Sequence, residues 1–146
     1  MGTRRLSREQ ALQALFYLDM HGESEEDPVG LFCSVFAQEN TAGAFFHRLI
    51  KGVTDNRAAI DTVIERFSSN WKLSRMSCVD RNVLRLATFE LLYCADIPPK
   101  VSINEAIDVA KRFGTEESGA FINGILDSIR IAMQNNNLDY AAKTTQ

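Results

Sequence analysis

Apolar residues recur at helical spacing along most of the chain, and no stretch alternates convincingly as a strand would. Phe46, Val53, Ile60 and Phe67 lie seven residues apart, which places all four on the same helix face. The polar segment Thr54-Asp55-Asn56 interrupts this stripe and predicts a break between two helices. We therefore predict an all-α fold of about seven helices.

Capping and turn residues predict where these helices begin and end. Predicted starts, each fitting an N-cap, a capping box or a first-turn proline, lie at Ser7 (with Gln10), Pro28, Thr41, Ser77 (with Asp80), Ser102 (with Glu105) and Ser118. Predicted stops lie at Gly22, Pro98 and Gly114, because glycine and proline commonly end helices. The last helix is expected to bury Ile122, Ile125, Leu126 and Ile129.

One predicted helix differs from the others in being apolar on most of its sides. It covers Val79 to Ala95, and this pattern predicts a central helix that the others surround. Its polar residues Arg81, Arg85 and Thr88 fall on one face by helical spacing. That face is either solvated or able to reach a phosphate group.

Length and composition indicate an ordinary globular domain. With 146 residues, of which 45% are hydrophobic and 24% charged, the chain fits one domain, which we place at residues 1–134. The polar segment 135–146 has no periodicity, and we expect it to fray. Neither a membrane span nor a signal peptide is predicted, so we expect a cytoplasmic protein that does not enter a membrane.

Residues that could support catalysis or bind a metal do not form a recognisable constellation. His21 and His47 lack a second ligand at metal-binding spacing, and the three cysteines show no paired spacing. Glu116 and Glu117 are paired carboxylates at a helix start, where the helix dipole favours anions without any catalytic role. We therefore predict no catalytic residue, no metal site and no cofactor.

Two groups of residues suggest contact with nucleic acid. The net charge of −3 argues against a free-standing, non-specific binder, yet Arg4, Arg5 and Arg8 cluster at the N-terminus. These arginines form either a solvated arm or a phosphate-binding site. Phe113 and Phe121 flank a glycine-containing loop, where each either packs in the core or stacks on an unpaired base.

Several motifs, in order, closely resemble the NusB family, and the resemblance extends from Arg4 to about Ile131. They are Ala11–Phe16, Leu49–Val53, Trp71–Arg75, Val79–Ala87, Asp96–Pro98, Lys100–Ala106, Ala110–Gly114 and Phe121–Leu126. The resemblance implies a fold of two packed helical bundles. It also implies transcription antitermination, notably on ribosomal RNA operons.

The resemblance further implies which partners this chain binds. Family members bind the boxA segment of nascent RNA together with a small-subunit ribosomal protein, which is also called NusE. This complex engages RNA polymerase with other Nus factors. A partner of this kind can supply positive surface that the acidic chain lacks. The sequence leaves open whether the free protein is a monomer or a homodimer.

We assign candidate site residues from the resemblance and from the residue pattern together. The resemblance implies RNA contacts at Arg4, Arg5, Arg8 and Phe121, and it implies partner contacts at Asp80 and Glu117. From the residue pattern we add Arg85 and Phe113 for RNA and Arg81 for the partner. The N-terminal motif is thinner than in some family members, since Leu6 and Ser7 occupy positions that can be basic.

Three alternatives to this function stay open. The first is a protein-interaction scaffold without RNA binding, in which the N-terminal arginines have no role. The second is the NusB-like domain of ribosomal RNA cytosine methyltransferases, which need a further cofactor-binding domain that we do not expect here. The third is an unrelated helical enzyme, for which the sequence offers no set of catalytic residues.

Overall fold

Six α-helices make up the part of the chain that the computed structural model describes, residues 3–21, 43–69 and 71–136. In chain order they are α1 (Thr3–His21), α2 (Ala44–Asp55), α3 (Arg57–Phe67), α4 (Cys78–Tyr93), α5 (Pro99–Phe113) and α6 (Ser118–Gln134). A 3₁₀ turn at Leu73–Arg75 lies between α3 and α4, and these residues include no strand. The all-α prediction is confirmed. The helix predicted from Pro28 and the predicted N-cap Thr41 lie outside the described residues.

Helix α4 is the centre of the fold, as its sequence predicts. It contacts each of the other five helices, while α1 packs on α2 and α5 packs on α6. Every residue from Asn82 to Leu92 is buried. The polar face predicted on this helix is therefore not solvated, because Arg85 and Thr88 are buried and Arg81 is half-buried.

Helices α2 and α3 share one buried stripe across a break. Phe46, Val53 and Ile60 are fully buried, and Phe67 packs against the same core while half-buried. Asn56 lies between the two helices, where its side-chain Nδ2 donates to the carbonyl of Gly52 at 2.9 Å. The predicted break is confirmed, and it lets the stripe continue into α3.

Gly52 allows α2 to approach α4 closely. A Cβ atom at this position would lie 2.1 Å from the ring of Phe89. Phe89 is itself buried and stacks on Tyr93, with ring centroids 5.6 Å apart. The absence of a side chain at Gly52 therefore makes room for an aromatic ring of the central helix.

Some predicted helix boundaries are correct and others are wrong. Ser77 caps α4 by accepting a hydrogen bond from the Asp80 amide at 3.0 Å. However, α1 begins at Thr3, so Ser7 lies inside it. Likewise α5 begins at Pro99, so Ser102 lies inside that helix instead of capping it. Proline at the first helical position costs no hydrogen bond, which explains this earlier start.

The apolar stripe of helix α1 is only partly covered. Leu12 and Leu15 of this stripe are buried, but Phe16 is 40% exposed. Phe16 lies at the edge of the stripe, and helical spacing alone does not decide which edge residues are covered.

Candidate functional site

The predicted N-terminal arm is the first turn of helix α1. Arg4 and Arg5 are exposed there and contact other helices. The Arg4 guanidinium lies 4.3 Å from the centre of the Phe45 ring and 3.9 Å from the Asp96 carboxylate. The arginines therefore belong to the folded domain, which excludes the alternative of a solvated arm.

Arg5 is paired with two carboxylates of α5. Its Nε and Nη2 donate to the two oxygens of Glu105 at 3.0 and 2.9 Å, and Nη2 also donates to Asp108 at 2.7 Å. The hydrogen bonds from Arg5 lower the pKa of Glu105, and the same hydrogen bonds raise the pKa of Arg5. Arg5 is thus a charged and exposed group whose charge is already matched within the protein.

Arg8 is buried and belongs to the core. Its Nε and Nη2 donate to the two oxygens of Glu90 at 2.8 and 2.9 Å, and Ser102 Oγ donates to the same carboxylate at 2.6 Å. Arg8 is 5% exposed and Glu90 is 2% exposed. The prediction that Arg8 contacts RNA is corrected, because a phosphate group has no access to a guanidinium in this position.

Arg85 is also buried, inside the network that joins α4 to α3. It is 4% exposed, and its Nε and Nη2 donate to Asp61 at 2.8 and 3.2 Å. Its Nη1 donates to Asn82 at 3.1 Å. The predicted RNA contact of Arg85 is corrected for the same reason, since its hydrogen bonds are made inside the domain.

Arg81 points inward and holds the 3₁₀ turn against α4. Its Nη1 donates to the carbonyls of Leu73 and Met76 at 3.0 and 3.3 Å, and its Nε donates to Asp19 at 3.2 Å. Burial by itself raises the pKa of Asp19, but a hydrogen bond from Asn82 and the neighbouring arginine charges outweigh burial and lower it. Arg81 therefore positions the backbone next to the groove described below.

A groove of about 280 Å³ lies where the 3₁₀ turn, the start of α4 and the start of α6 meet. It is lined by Trp71, Arg75, Met76, Ser77, Asp80, Glu117 and Phe121. Three of these residues, Asp80, Glu117 and Phe121, are predicted site residues that come from two distant parts of the sequence. The structure therefore brings one of the two predicted aromatics and both predicted carboxylates to one place.

Two aromatic side chains form one wall of this groove. The rings of Trp71 and Phe121 meet edge to face, with centroids 6.5 Å apart and planes at 78°. Trp71 is 49% exposed, and Phe121 is half-buried against the core. Half-exposed aromatic rings of this kind are suited to stacking on unpaired bases.

Asp80 lines the same groove and is half-buried. Its Oδ1 is buried and accepts no hydrogen bond from any residue in the described ranges. A buried polar atom without a partner costs free energy, and its burial keeps an external donor from reaching it unless the groove rearranges. Glu117 is exposed and adds a second carboxylate to the lining.

Phe113 lies at the end of α5, outside the lining of the groove. It is half-buried, and the Arg112 guanidinium lies 5.2 Å from the centre of its ring. Arg112 also pairs with Glu9 at 3.0 Å while its side chain stays 65% exposed. The structure thus places Phe113 beside an exposed cation that is absent from the predicted site.

Sequence reasoning missed Trp71, Arg75, Met76 and Arg112 as site residues. Trp71 and Arg75 belong to a motif that carries the family resemblance, but the motif alone does not show that either side chain faces solvent. The available sequence signal is the position of Trp71 between two helices. Large apolar side chains are usually covered, so one in a connecting segment is a candidate binding residue.

Neither a metal site nor a membrane span is found in the described residues. Within residues 3–21, 43–69 and 71–136, no group of histidine, cysteine and acidic residues is arranged to hold a metal ion. No helix in these ranges combines the length and apolar character needed to cross a bilayer. Burial raises the pKa of the Cys94 thiol to about 11, so this cysteine stays protonated at neutral pH.

Comparison with known proteins gives consistent matches over nearly the whole chain. A model of the NusB family matches residues 5–130. The transcription antitermination protein NusB of Desulfatibacillum aliphaticivorans is 55% identical over 131 residues, which cover 90% of this chain and 92% of the relative. The same-named protein of Myxococcus xanthus is 49% identical over 137 residues, which cover 91% of this chain and 98% of the relative.

Solved structures agree with these sequence matches. NusB from T. maritima superposes with a TM-score of 0.79 at 41% identity, covering 92% of this chain and 97% of that one. A crystal structure of the antitermination factors NusB and NusE in complex with double-stranded RNA matches with a TM-score of 0.78 at 29% identity. That match covers 90% of this chain and 98% of the matched one.

Proposed function

Because this chain belongs to the NusB family, we propose that it is a transcription antitermination factor of ribosomal RNA operons. It binds boxA-type single-stranded RNA in the nascent transcript as a complex with the ribosomal protein NusE. The complex engages RNA polymerase with other Nus factors and promotes processive transcription. The relatives are named for antitermination rather than for an enzymatic reaction, and the proposal includes no catalytic residue and no cofactor.

The groove lined by Phe121, Asp80 and Glu117 is the observation that carries this proposal. Its aromatic wall suits the π-faces of unpaired bases, which single-stranded RNA exposes and a duplex hides. Trp71 extends that wall, since its ring lies against Phe121. Arg75 is exposed at the same groove, where its guanidinium is available to an RNA phosphate.

The acidic part of the groove suits a basic protein better than it suits RNA. Asp80 and Glu117 carry negative charge and would repel phosphate groups, but they would attract lysine or arginine side chains. Both residues line the groove, where the side chains of a partner protein could contact them. We therefore assign the two carboxylates to the ribosomal protein and the aromatic wall to RNA.

Exposed arginines outside the groove supply the contacts to the RNA backbone. Arg4 and Arg5 keep this proposed role because both are exposed, and Phe113 lies beside the exposed Arg112. Backbone contacts of this kind hold RNA without reading its sequence. Arg8, Arg81 and Arg85 are instead assigned to the internal structure, since their hydrogen bonds are made within the domain.

A binding titration tests the proposal directly. Labelled boxA RNA, a scrambled RNA of the same length and a duplex would each be titrated with the protein, with and without NusE. The duplex is included because the related NusB–NusE structure contains double-stranded RNA. The proposal expects selective binding of boxA RNA that NusE strengthens. Equal binding of all three RNAs would contradict the proposed base recognition.

A second function, a protein-interaction scaffold without RNA binding, is favoured by one observation. Arg5, Arg8 and Arg85 are each neutralised by carboxylates of the protein itself, which leaves less positive charge for RNA than the sequence suggests. If NusE bound this protein tightly while no RNA bound to either the free protein or the complex, the scaffold would be the better description.

A further inference from the structure

We propose that Glu105 and Asp108 act as negative determinants of RNA affinity, because they compete with RNA phosphates for the guanidinium of Arg5. This inference rests on the proposed RNA-binding function and extends it to two residues with no assigned role. It concerns the first turn of α1 and the exposed side of α5, outside the lining of the groove.

The hydrogen bonds of Arg5 leave only part of its guanidinium free. A guanidinium carries five N–H donors, and the side of Arg5 formed by Nε and Nη2 is occupied by Glu105 and Asp108. Nη1 donates to no residue in the described part of the chain. A phosphate must therefore displace the carboxylates to form a bidentate contact, or accept a weaker one from Nη1 alone.

The charges around Arg5 also favour the carboxylates over an incoming phosphate. One cation faces two carboxylates, so this site carries a surplus of negative charge. Arg8 approaches Glu105 to 3.7 Å, but Arg8 is already paired with the buried Glu90. An approaching phosphate meets net repulsion until a carboxylate moves away or loses its charge.

All three side chains can rearrange, because none is locked in the core. The side chains of Arg5 and Asp108 are 46% and 49% exposed, and that of Glu105 is 22% exposed. Exposed ion pairs contribute little stability and are screened by salt. The pairing thus weakens the attraction of Arg5 for phosphates without making Arg5 permanently unavailable.

This competition affects all RNA sequences equally, because phosphates carry no sequence information. An RNA that also fills the groove keeps enough favourable contacts to bind. An RNA that makes only charge contacts has few of them, and it loses the contact with Arg5. Glu105 and Asp108 therefore lower the binding of RNA in general, while the groove decides which RNA is preferred.

The test compares Asp108→Asn and the double variant E105Q/D108N with wild type in salt titrations of boxA and scrambled RNA. Asp108→Asn is the milder change, since Arg5 is the one ion-pair partner of Asp108 among the described residues. We expect each removed charge to tighten binding of both RNAs about threefold at low salt, the size of an exposed charge contact. The slope of log K against log salt should steepen by about 0.7, as one more phosphate is neutralised.

Two sets of control variants separate this competition from a general charge effect. D55N/D127N removes as much negative charge as E105Q/D108N, but from ion pairs with Lys51 and Arg130 that do not involve Arg5. Its effect on RNA affinity should therefore be smaller than that of E105Q/D108N. Adding Arg5→Gln to Asp108→Asn or to E105Q/D108N should abolish the gain in RNA affinity. Circular dichroism and thermal melting would establish that each variant is folded.

The possible outcomes bear differently on the two proposals. Unchanged affinity and salt slope in folded Asp108→Asn and E105Q/D108N, with wild type still binding boxA RNA, would overturn this inference alone. A gain in D55N/D127N as large as in E105Q/D108N would also overturn it. Failure of wild type and every variant to bind RNA, with or without NusE, would overturn the proposed function and this inference together.

Discussion

Arg8 and Glu90 form a buried, bidentate ion pair that ties the first turns of α1 to the central helix α4. The two residues are 82 positions apart in the chain, and each is almost completely shielded from solvent. Ser102 of α5 donates to the same carboxylate, so three helices meet at one charge. This relationship explains why an arginine in an arginine-rich N-terminus is structural.

Replacing Arg8 with alanine should destabilise the protein strongly. The change leaves the Glu90 charge buried and uncompensated, which typically costs about 3–5 kcal/mol of unfolding free energy. Urea unfolding measures this loss, and Arg5→Ala serves as a matched control because Arg5 is exposed. A stable Arg8→Ala protein with weakened RNA binding would instead favour a direct role for Arg8 in RNA contact.

Arg85→Gln should likewise reduce stability and leave RNA binding intact in the folded fraction. The substitution removes a charge that pairs with Asp61 inside the domain at 2.8 Å. We expect a lower melting temperature, since a buried ionic network loses one of its members. Titration with boxA RNA well below the melting temperature should give wild-type affinity, and a clear loss of affinity would contradict our structural assignment.

Phe121→Ala should weaken binding of single-stranded RNA by about 1–3 kcal/mol, the usual contribution of a side chain stacked on a base. The expectation follows from the half-exposed position of Phe121 beside Trp71. Phe16→Ala is the matched control, because Phe16 is an exposed aromatic on α1. If Phe121→Ala lowered only the melting temperature and kept full RNA affinity, Phe121 would be a packing residue.

Gly52→Ala should destabilise the contact between α2 and α4. The added methyl group would meet the Phe89 ring, which is itself packed against Tyr93, so the ring or a helix must move. Overpacking of this kind costs about 1–3 kcal/mol. Gly124→Ala is the control, since a Cβ at Gly124 meets nothing within 4 Å and alanine favours helices. Equal melting temperatures for the two variants would contradict the prediction.

The pair between Asp96 and Arg48 should make part of the stability depend on pH. The hydrogen bond from Arg48 is the main cause that lowers the pKa of Asp96 from its ordinary 3.8 to about 2. A carboxyl group with a lowered folded-state pKa stabilises the protein above its unfolded pKa, and this contribution is lost as pH falls through the folded value.

Comparison with Asp96→Asn isolates this carboxylate from the others. The stability difference between wild type and Asp96→Asn should be constant above about pH 5 and should shrink as pH falls toward about 2. Because Asp96 is exposed, we expect a small effect that salt reduces further. A difference that does not change with pH would show that Asp96 acts through something other than its charge.

Local sequence pattern determined the fold class, much of the core and the central helix. Helical periodicity is a property of neighbouring residues, so Phe46, Val53 and Ile60 could be placed on one buried face without tertiary information. The break near Asn56 and the cap at Ser77 follow from local hydrogen bonding in the same way. The predicted starts of α1 and α5 were wrong, because Ser7 and Ser102 lie inside their helices and the proline at its first position lets α5 begin at Pro99.

The family resemblance placed Asp80, Glu117 and Phe121 in the candidate site, but it did not show that they share a groove. Trp71 and Arg75 were missed because the exposure of a side chain depends on which helices cover it. Residues from the 3₁₀ turn, α4 and α6 come together only in the folded chain.

The accessibility of each arginine was decided by tertiary structure alone. In the sequence, Arg4, Arg5 and Arg8 look alike, yet Arg4 is exposed beside an aromatic ring, Arg5 pairs with two carboxylates and Arg8 is buried. Their partners lie up to 103 positions away along the chain. Sequence periodicity reports local geometry, whereas the availability of a charge depends on its solvation and on the opposite charges that folding brings next to it.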